Sequence, residues 1–297
     1  MKRLLITGGL GYIGSALLRE IDPSRYKVRV LDNLSVGRVQ NVLNIGYKPE
    51  IVIGDIRNKE MDVFPAMEDV DVVIHLAGLT TLPSYSPELI GKTASVNVGG
   101  TEVLLDVAEE CSVSKFIYAS TCNIYGYNAK KNLSEEDTPN PINPYSRTKY
   151  LAEKEVLKRK SLNPVVLRLA TNYGWSPGIR WNLVINKFVM YKMMDEPLPV
   201  YGEGNNWRAY IHVRDTARAF LHALENDLEG VYNVGSVNLR VKDIIKLLEY
   251  DKITYFPERE NSSYHVSFDK FYSTGFYPHI SIQGGIKDLE LRFGVVV

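Results

Sequence analysis

The segment that decides the fold is TGGLGYIG, residues 7–14, which directly follows the apolar run of residues 3–7. Glycines at positions 8, 11 and 14 allow a tight turn, a close approach of the backbone to a pyrophosphate, and packing of a helix on a strand. A helix that starts near Tyr12 would turn its positive end toward that pyrophosphate. Because the motif lies between a predicted strand and a predicted helix, it predicts a dinucleotide site.

The second apolar run ends at Asp32, eighteen residues beyond Gly14. A carboxylate at this strand end can accept hydrogen bonds from both ribose hydroxyls of an adenosine, and it repels a 2′-phosphate. The predicted cofactor is therefore NAD rather than NADP. Arg38 lies close enough in the sequence to weaken this preference.

Short apolar runs alternate with helical patterns through the first half of the chain, which predicts a parallel α/β fold. The runs are continuous and rich in Val and Ile, as is typical of strands that are covered on both faces. Candidate strands lie at residues 3–7, 27–31, 50–53, 70–76, 115–119 and 164–169. Candidate helices lie at residues 12–20, 88–110 and 144–160. The predicted architecture is a Rossmann-type doubly wound parallel sheet.

The pattern changes after residue 169, where glycines and prolines interrupt it. We expect residues 1–170 to form the NAD-binding domain, with returns to it near 209–235. Residues 171–208 and 236–297 would form a smaller C-terminal substrate-binding lobe. In that second half, helices are predicted at residues 182–194 and 241–250, and Asp215 is expected to cap a further helix.

Composition excludes several classes of function. The 297 residues include 35 basic and 35 acidic side chains, so nothing electrostatic favours a nucleic acid or an anionic membrane as partner. No apolar stretch approaches the ~20 residues that span a bilayer. The two cysteines, Cys111 and Cys122, have no metal-ligand spacing, so no metal site is predicted. These features favour a cytoplasmic protein with reduced thiols.

A tyrosine and a lysine four residues apart share one helix face, and the ammonium can lower the tyrosine pKa until the phenol becomes a usable base. Among 19 tyrosines, chance alone gives about one such pair, yet the chain has three. The pair at 127/131 lies in a polar loop, and Tyr150 lies about 140° around the helix from Tyr145. Tyr145 begins its helix after Asn143 and Pro144, near the strand ends, so Tyr145 and Lys149 are the predicted catalytic pair.

Strand ends supply further candidates for the cofactor site. Asp55, after the third strand, could bind the adenine amino group, and Ala77 and Gly78, after the fourth, leave room for a cofactor at the sheet edge. His75, just before them, is interpreted as structural. A hydroxyl at the end of the fifth strand, such as that of Thr121, could bind the same substrate oxygen as the Tyr145 phenol.

Taken together, the motifs resemble the extended short-chain dehydrogenase/reductases, in particular the NAD-dependent epimerase/dehydratase group that acts on nucleotide sugars. The motifs are TGGLGYIG (7–14), DNLSVG (32–37), GDIRN (54–58), HLAG (75–78), NVGGT (97–101), STCNIYG (120–126), NPYSRTK (143–149), YGEGNNWRAYIHVRD (201–215) and YNVG (232–235). Their order and spacing carry the resemblance over nearly the whole chain.

The resemblance implies roles for individual residues. It makes Thr121, Tyr145 and Lys149 the catalytic set. The positions that it implies for NAD contact are Gly8, Gly11, Tyr12, Ile13, Gly14, Asp32, Asn33, Asp55, Ile56, Leu76, Ala77, Gly78, Asn97, Tyr145 and Lys149. The positions that it implies for the substrate, a nucleotide diphosphate sugar of the UDP-sugar type, are Thr121, Thr171, Asn182 and Arg208. It further implies a homodimer formed through the helices at 88–110 and 144–160.

Departures from the group's pattern narrow the reaction. The 4,6-dehydratases have Asp-Glu after the catalytic Thr, the decarboxylases have Glu at the second of these positions, and the 3,5-epimerases have Cys there, whereas this chain has Cys122 and Asn123. Thr171 replaces the Asn of the group's RYFN pattern. The second diphosphate-binding Arg of the group is replaced by Ser262, with Arg259 three residues away.

Without the groups that those other reactions need, the chemistry left to the site is oxidation and re-reduction of a carbinol. The expected activity is therefore a nucleotide-sugar 4-epimerase of the UDP-glucose/UDP-galactose type. Two alternatives stay open at this point. A dehydrogenase or 4-keto-sugar reductase would use the same site for net redox chemistry. A non-catalytic NAD(H) sensor would have the same fold but no need for the Tyr145 base.

Overall fold

A seven-stranded parallel sheet forms the centre of the computed structural model, which describes residues 1–80, 86–257 and 262–296. Its strands, in chain order, are β1 (Lys2–Thr7), β2 (Tyr26–Asp32), β3 (Glu50–Ile53), β4 (Val72–His75), β5 (Lys115–Thr121), β6 (Val165–Leu169) and, later in the chain, β10 (Gly230–Val234). Their order across the sheet is β10-β6-β5-β4-β1-β2-β3. The Rossmann-type prediction is confirmed, and all six strands predicted from the first half of the chain belong to this sheet.

Ten helices are present in the described residues. They are α1 (Tyr12–Glu20), α2 (Phe64–Met67), α3 (Pro87–Ala94), α4 (Gly100–Glu110), α5 (Pro144–Lys158), α6 (Val184–Met193), α7 (Val213–Glu225), α8 (Val241–Leu248), α9 (Asp269–Tyr272) and α10 (Ile282–Val296). The prediction for α1 is confirmed at both ends. None of these helices is long and apolar enough to cross a membrane.

Both faces of the large sheet are covered, which explains the unbroken apolar runs. Leu4 and Ile6 of β1 belong to one buried cluster, and Leu5, between them, belongs to another. Side chains alternate across a strand, so the two clusters lie on opposite faces. α1 and α7 contribute to the first cluster, and α4 and α5 contribute to the second.

The helix predicted over 88–110 is confirmed as a continuous helical stretch over residues 87–110, but its middle is not α-helical. A π-helical turn, Ser95–Gly99, separates α3 from α4. Within this turn Asn97 directs its amide to the backbone of Leu79 and to Thr148, and its carbonyl accepts the Thr101 hydroxyl at 2.7 Å. A wider turn that serves contacts with two other elements is typical of π-helical insertions.

Smaller sheets and three helices make up a third buried cluster. β7 (Thr171–Tyr173), β9 (Trp207–His212) and β11 (Val237–Arg240) form a three-stranded sheet, and β8 (Leu198–Tyr201) pairs with β12 (Ile253–Phe256). α6, α8 and α10 pack with them. The helices predicted at 182–194 and 241–250 are α6 and α8, each shorter by one or two residues at an end.

Asp215 does not cap α7. His212 is the N-cap, and its Nδ1 accepts the backbone N–H of Arg214 at 3.2 Å. Asp215 is buried in the first turn, where it accepts the Arg218 guanidinium and the backbone N–H groups of His279 and Ile280. The carboxylate is therefore used to hold the chain that leads into α10.

Candidate active site

The glycine loop follows β1 at the point where the sheet order reverses, since β1 lies between β2 and β4. Ligands of doubly wound sheets bind at such switch points. Gly8 has a φ of +69°, and a Cβ there would lie 2.7 Å from the Ala77 nitrogen. A Cβ at Gly14 would lie 2.5 Å from the Gly9 carbonyl oxygen. The loop therefore requires glycine for its turn and for its close packing.

The first turn of α1 is left available to an anion. The N-cap residue is Gly11, which provides no capping side chain, and its own N–H binds the Gly8 carbonyl at 3.1 Å. The N–H groups at the start of α1, including those of Tyr12 and Ile13, have no acceptor within the helix. This is a cradle that fits the pyrophosphate of the NAD predicted from the sequence.

The Tyr12 side chain holds the loop rather than facing this cradle. Its hydroxyl donates to the Gly174 carbonyl at 2.6 Å and accepts the Asn186 amide at 3.3 Å. A Cβ at Gly178 would lie 2.8 Å from the Gly11 carbonyl, so the chain that leaves β7 packs directly on the loop. Of the groups of Tyr12, its backbone N–H is thus the one suited to bind a cofactor.

The carboxylates at the ends of β2 and β3 lie at the adenosine side of this cradle. Asp32 is buried and accepts the N–H groups of Leu10 and Leu34 at 3.1 and 2.9 Å. Burial raises the pKa of Asp32. Asp55 accepts Asn33 and, through two nitrogens, Arg57, and these hydrogen bonds hold the pKa of Asp55 well below its usual range.

The hydrogen bonds of Asp55 and the burial of the Ile56 side chain limit which groups these two residues could offer to a cofactor. An adenine amino group would have to share the Asp55 carboxylate with Arg57 and Asn33. The Ile56 side chain is buried in the core, where it packs against Gly100. Its backbone is therefore the part that could meet a cofactor.

The residues that follow β4 lie next to Lys149 of the predicted catalytic pair. A Cβ at Gly78 would lie 3.0 Å from Asn97 Oδ1 and 4.0 Å from Lys149 Nζ, so these three residues lie together. Leu76 and Ala77 are partly exposed. The small residues Ala77 and Gly78 leave space beside Lys149. The hydrogen bonds of the Asn97 side chain to the Leu79 backbone hold this segment in place.

His75 is structural, as the sequence predicts. It is fully buried, with its ring nitrogens 2.7 Å from Thr7 Oγ1 and 3.0 Å from Thr101 Oγ1. Burial holds the pKa of His75 well below its usual range, and the nearby Lys149 charge acts in the same direction. The ring is therefore neutral at physiological pH and stabilises the strand ends.

Tyr145, Thr121 and Lys149 come together at the carboxyl edge of β5. α5 begins with a capping box between Asn143 and Ser146 and with Pro144 in its first turn, which places Tyr145 at the cleft. The Thr121 side chain lies close enough to the Tyr145 phenol to lower its pKa. Lys149 lies one turn further on, buried, with Nζ 4.1 Å from the centre of the Tyr118 ring.

Opposing effects set the pKa values of Tyr145 and Lys149. Burial raises the pKa of Tyr145 above its ordinary value, and the Arg180 charge and the Thr121 side chain offset only part of this rise. Burial lowers the pKa of Lys149 to about 7, and the Glu153 charge opposes this. The lysine therefore titrates near neutral pH, so a modest change in its surroundings changes its charge.

Arg180 was not identified from the sequence. It lies in the irregular segment between β7 and α6, where the spacing of residues in the sequence does not predict which way a side chain points. The Arg180 backbone carbonyl accepts the Asn186 amide at 3.1 Å. Its positive charge lowers the pKa of both Tyr145 and Tyr12. The structure thus brings a second cation to the tyrosine besides the lysine that the motif predicts.

The residues that the sequence predicts for substrate binding differ in their surroundings. Thr171 is hydrogen-bonded to Tyr264, a buried tyrosine that the sequence analysis did not single out, and the Arg208 guanidinium lies 5.2 Å from the centre of the same ring. Burial raises the pKa of Tyr264 to about 12, and Tyr145 also acts on it. Thr171, Arg208 and Tyr264 therefore lie close together. Asn182 lies in an exposed turn directly before α6.

The two residues after Thr121 point in different directions. Cys122 is buried, and its thiol donates to the Arg168 carbonyl at 3.1 Å. The Asn123 amide oxygen accepts Asn143 at 3.3 Å and Ser262 at 3.1 Å, beside the start of α5. The Cys122 thiol therefore points into the core, whereas the Asn123 amide lies beside the start of α5. Arg259 lies outside the described residues.

No group of three or more His, Cys, Asp or Glu side chains is arranged to bind a metal ion within the described residues. The polar groups of the cleft instead consist of backbone N–H groups, hydroxyls, amides and cations. This set suits a dinucleotide and a phosphorylated substrate.

Comparison with known proteins agrees with this geometry. The model of the NAD dependent epimerase/dehydratase family matches residues 4–235. A putative UDP-glucose 4-epimerase of Methanocaldococcus jannaschii is 30% identical over 297 residues, which cover 96% of each chain. UDP-glucose 4-epimerase of Thermotoga maritima, solved with UDP-glucose, superposes with a TM-score of 0.86 at 29% identity and covers 99% of both chains. dTDP-glucose 4,6-dehydratase of Bacillus anthracis, solved with NAD, superposes with a TM-score of 0.87 at 27% identity and covers 99% of this chain and 97% of the other.

Proposed function

Because this chain belongs to the NAD-dependent epimerase/dehydratase family, we propose that it is a nucleotide-sugar 4-epimerase. The observation that carries the proposal is the joint position of Thr121, Tyr145 and Lys149 beside an amide, Asn123, and not a carboxylate. UDP-sugars of the UDP-glucose/UDP-galactose type are the proposed substrates, since two of the three relatives described above are named for UDP-glucose.

NAD is the cofactor of this family, and the residues present fit it. The glycine loop and the first turn of α1 would hold the pyrophosphate, Asp32 would bind the adenosine ribose, and Gly78 leaves room beside Lys149 for the nicotinamide. When bound, NAD supplies the chemistry of accepting a hydride from C4 of the sugar and returning it.

Proton transfer is the part of the reaction that this chain performs. In the proposed mechanism the Tyr145 phenolate takes the proton of the sugar's 4-hydroxyl and later gives it back. The Arg180 charge stabilises the phenolate, Lys149 one helical turn away is proposed to add a second positive charge, and Thr121 is proposed to orient the sugar oxygen by a hydrogen bond. General acid–base participation of this kind contributes typically ~10²–10⁴ in rate.

The diphosphate of the substrate would be held while the 4-keto sugar turns between its two faces. Arg208 is proposed as the phosphate ligand, because a guanidinium fork suits phosphate oxygens and its side chain packs on Tyr264 at the cleft wall. Thr171 would supply a hydroxyl on the same wall. Asn182, in the exposed turn directly before α6, is proposed as a further ligand.

Asn123 and Cys122 argue against the other reactions of the family. Loss of the sugar's 6-hydroxyl requires an acid that protonates the leaving oxygen and a base that removes the C5 proton, and an amide such as Asn123 can act as neither. The Cys122 thiol is bonded to a backbone carbonyl in the core, and burial raises its pKa. A neutral thiol buried in the core cannot act as a base toward the sugar.

The test is to incubate the purified protein with a panel of UDP-, dTDP- and GDP-sugars and to resolve the products by NMR. The proposal expects an equilibrium mixture of 4-epimers of a UDP-sugar and no accumulation of reduced nicotinamide. Stoichiometric NADH formation with product would identify a dehydrogenase instead. A 6-deoxy-4-keto product would identify a dehydratase and refute the argument from Asn123.

We also propose a homodimer formed through α4 and α5. Leu151 on α5 is 49% exposed, and Arg159 at the end of α5 binds Asp106 and Glu109 of α4. The interface follows from the resemblance to the family, and Leu151 is the exposed apolar side chain of α5 that such an interface would cover. Light scattering should give twice the chain mass of 33.6 kDa, and Leu151→Arg should give the monomer mass. An unchanged mass for Leu151→Arg would contradict this interface.

A further inference from the structure

A buried ion pair that the proposed mechanism does not use lies behind the catalytic residues. Glu153 of α5 is 1% exposed and Arg168 of β6 is 4% exposed. The guanidinium binds the carboxylate through two nitrogens, with Nη2 at 2.6 Å and Nε at 3.1 Å from Oε1. Buried charges persist only where they are paired and fully hydrogen-bonded, so the contacts of this pair indicate what it holds.

The pair is at the centre of a network that joins four elements. Ser120 of β5 donates to Glu153 Oε2 at 2.6 Å. Arg168 Nη1 donates to the Tyr125 hydroxyl at 2.8 Å, and that hydroxyl lies 2.9 Å from the Asn233 side-chain oxygen on β10. The network therefore fixes α5 against β5, β6 and β10.

One of these contacts and the place of Glu153 on α5 connect the network to the catalytic set. Ser120 directly precedes Thr121 at the end of β5, so its hydrogen bond to Glu153 fixes the backbone that carries the Thr121 hydroxyl. Glu153 is one helical turn beyond Lys149 on the same face of α5. Side chains of a helix lean toward its N-terminus, so the Glu153 carboxylate leans toward Lys149 and the cleft.

The groups around Lys149 explain why the Glu153 carboxylate affects the charge of the lysine. β4 presents His75, which is neutral, and β5 presents the Tyr118 ring. Tyr145 and Glu153 face Lys149 from its own helix, and β6 presents Arg168 through its bond to Glu153. Burial lowers the pKa of Lys149 to about 7 and Glu153 opposes this, so the ammonium depends on the carboxylate near neutral pH.

We propose that Glu153 is a positioning residue for the reaction: it keeps Lys149 protonated and, through Ser120, holds the Thr121 hydroxyl in place. The inference rests on the proposed function for the roles of Lys149 and Thr121. The charge effect and the positional effect are separable, because Ser120→Ala breaks the second link and leaves every charge unchanged.

The test is the pH dependence of kcat for the NAD-bound enzyme and for Glu153→Gln. As pH rises, Lys149 loses its proton and kcat falls. In Glu153→Gln this alkaline limb should move to lower pH by about one unit, since the Lys149 pKa falls when the carboxylate charge is removed. Glu153→Asp should restore most of the wild-type limb. Ser120→Ala should lower kcat about tenfold with the limb unmoved.

Controls separate these effects from damage to the fold. Glu229→Gln makes the same substitution in an exposed ion pair with Lys160 and should leave the profile unchanged. Circular dichroism establishes that each variant is folded, and if Glu153→Gln is not, Glu153→Gln/Arg168→Gln removes both charges and replaces it. A folded variant whose alkaline limb coincides with that of the wild type overturns the proposal.

A second readout needs no substrate. In protein labelled with ¹³C at lysine Cε, the Lys149 signal, assigned by its loss in Lys149→Met, should titrate about one unit lower in Glu153→Gln than in the wild type. If no nucleotide sugar is converted but this titration moves, the proposed function fails and the charge effect of Glu153 stands. If sugars are converted and the titration does not move, the inference fails alone.

Discussion

Replacing Gly8 by alanine should separate the role of the glycine loop from that of the catalytic residues. At Gly8 the backbone has a φ of +69°, and an added Cβ would lie 2.7 Å from the nitrogen and 2.8 Å from the Cα of Ala77. Both atoms belong to the backbone that leaves β4, which cannot swing away as a flexible side chain can. The loop must therefore move away from the sheet edge where NAD would bind.

The cost can be worked from these two features. A left-handed backbone costs a non-glycine residue about 1–2 kcal/mol, and overpacking a tight contact costs about 1–3 kcal/mol. Gly8→Ala should therefore lower the free energy of unfolding by about 2–5 kcal/mol. With an unfolding entropy of about 2.1 cal/mol/K per residue, this corresponds to a Tm lower by about 3–8 °C for a chain of this length.

Thermal unfolding and calorimetric titration of NAD into cofactor-free protein check the prediction. NAD affinity should fall at least tenfold, because the first-turn N–H groups of α1 lose their position. Gly91→Ala is the matched control, since its added Cβ in α3 meets no atom within 4 Å. That variant should be as stable as the wild type or slightly more stable. Wild-type Tm and NAD affinity in Gly8→Ala would refute the reasoning.

Three further substitutions address the chemistry. Tyr145→Phe should lose at least about a hundredfold in kcat while its NAD affinity stays unchanged, and full activity would show that the base is another group. Arg180→Gln should raise the pKa of Tyr145, so the acid limb of the kcat profile should move to higher pH and Arg180→Lys should move it back; an unmoved limb contradicts a role for this charge. Asp32→Ser should weaken NAD binding about tenfold or more and improve the ratio of NADP to NAD affinity, and an unchanged ratio would place the adenosine ribose elsewhere.

The large sheet could be predicted from the sequence because each of its strands is an unbroken apolar run. Leu5 is buried on one face while Leu4 and Ile6 are buried on the other, and a strand covered on both faces has no polar alternation to interpret. The start of α5 was equally local, since Asn143 and Pro144 adjoin the residues that they cap.

The parts that could not be predicted depend on contacts between distant segments. Arg180 acts on Tyr145 because the chain after β7 packs on the glycine loop through Gly178, and no local pattern encodes that packing. Tyr264 meets Thr171 for a similar reason. The division between α3 and α4 follows from the contacts of Asn97 with Leu79, which lies before the helix begins.

The direction of consecutive side chains at the end of β5 bears most on the reaction type. Thr121 caps the short 3₁₀ turn Cys122–Tyr125, and its hydroxyl accepts the N–H of Asn123 at 3.2 Å. This turn sends the Cys122 thiol into the core and keeps the Asn123 amide beside the start of α5, next to Tyr145. The thiol at position 122 is therefore buried, whereas a carboxylate at position 123 would lie beside the hydroxyls that we propose to be catalytic. Since this chain has an amide there, the acid–base groups left at the cleft are those that move a proton on one sugar oxygen, which is the requirement of epimerisation at a carbinol.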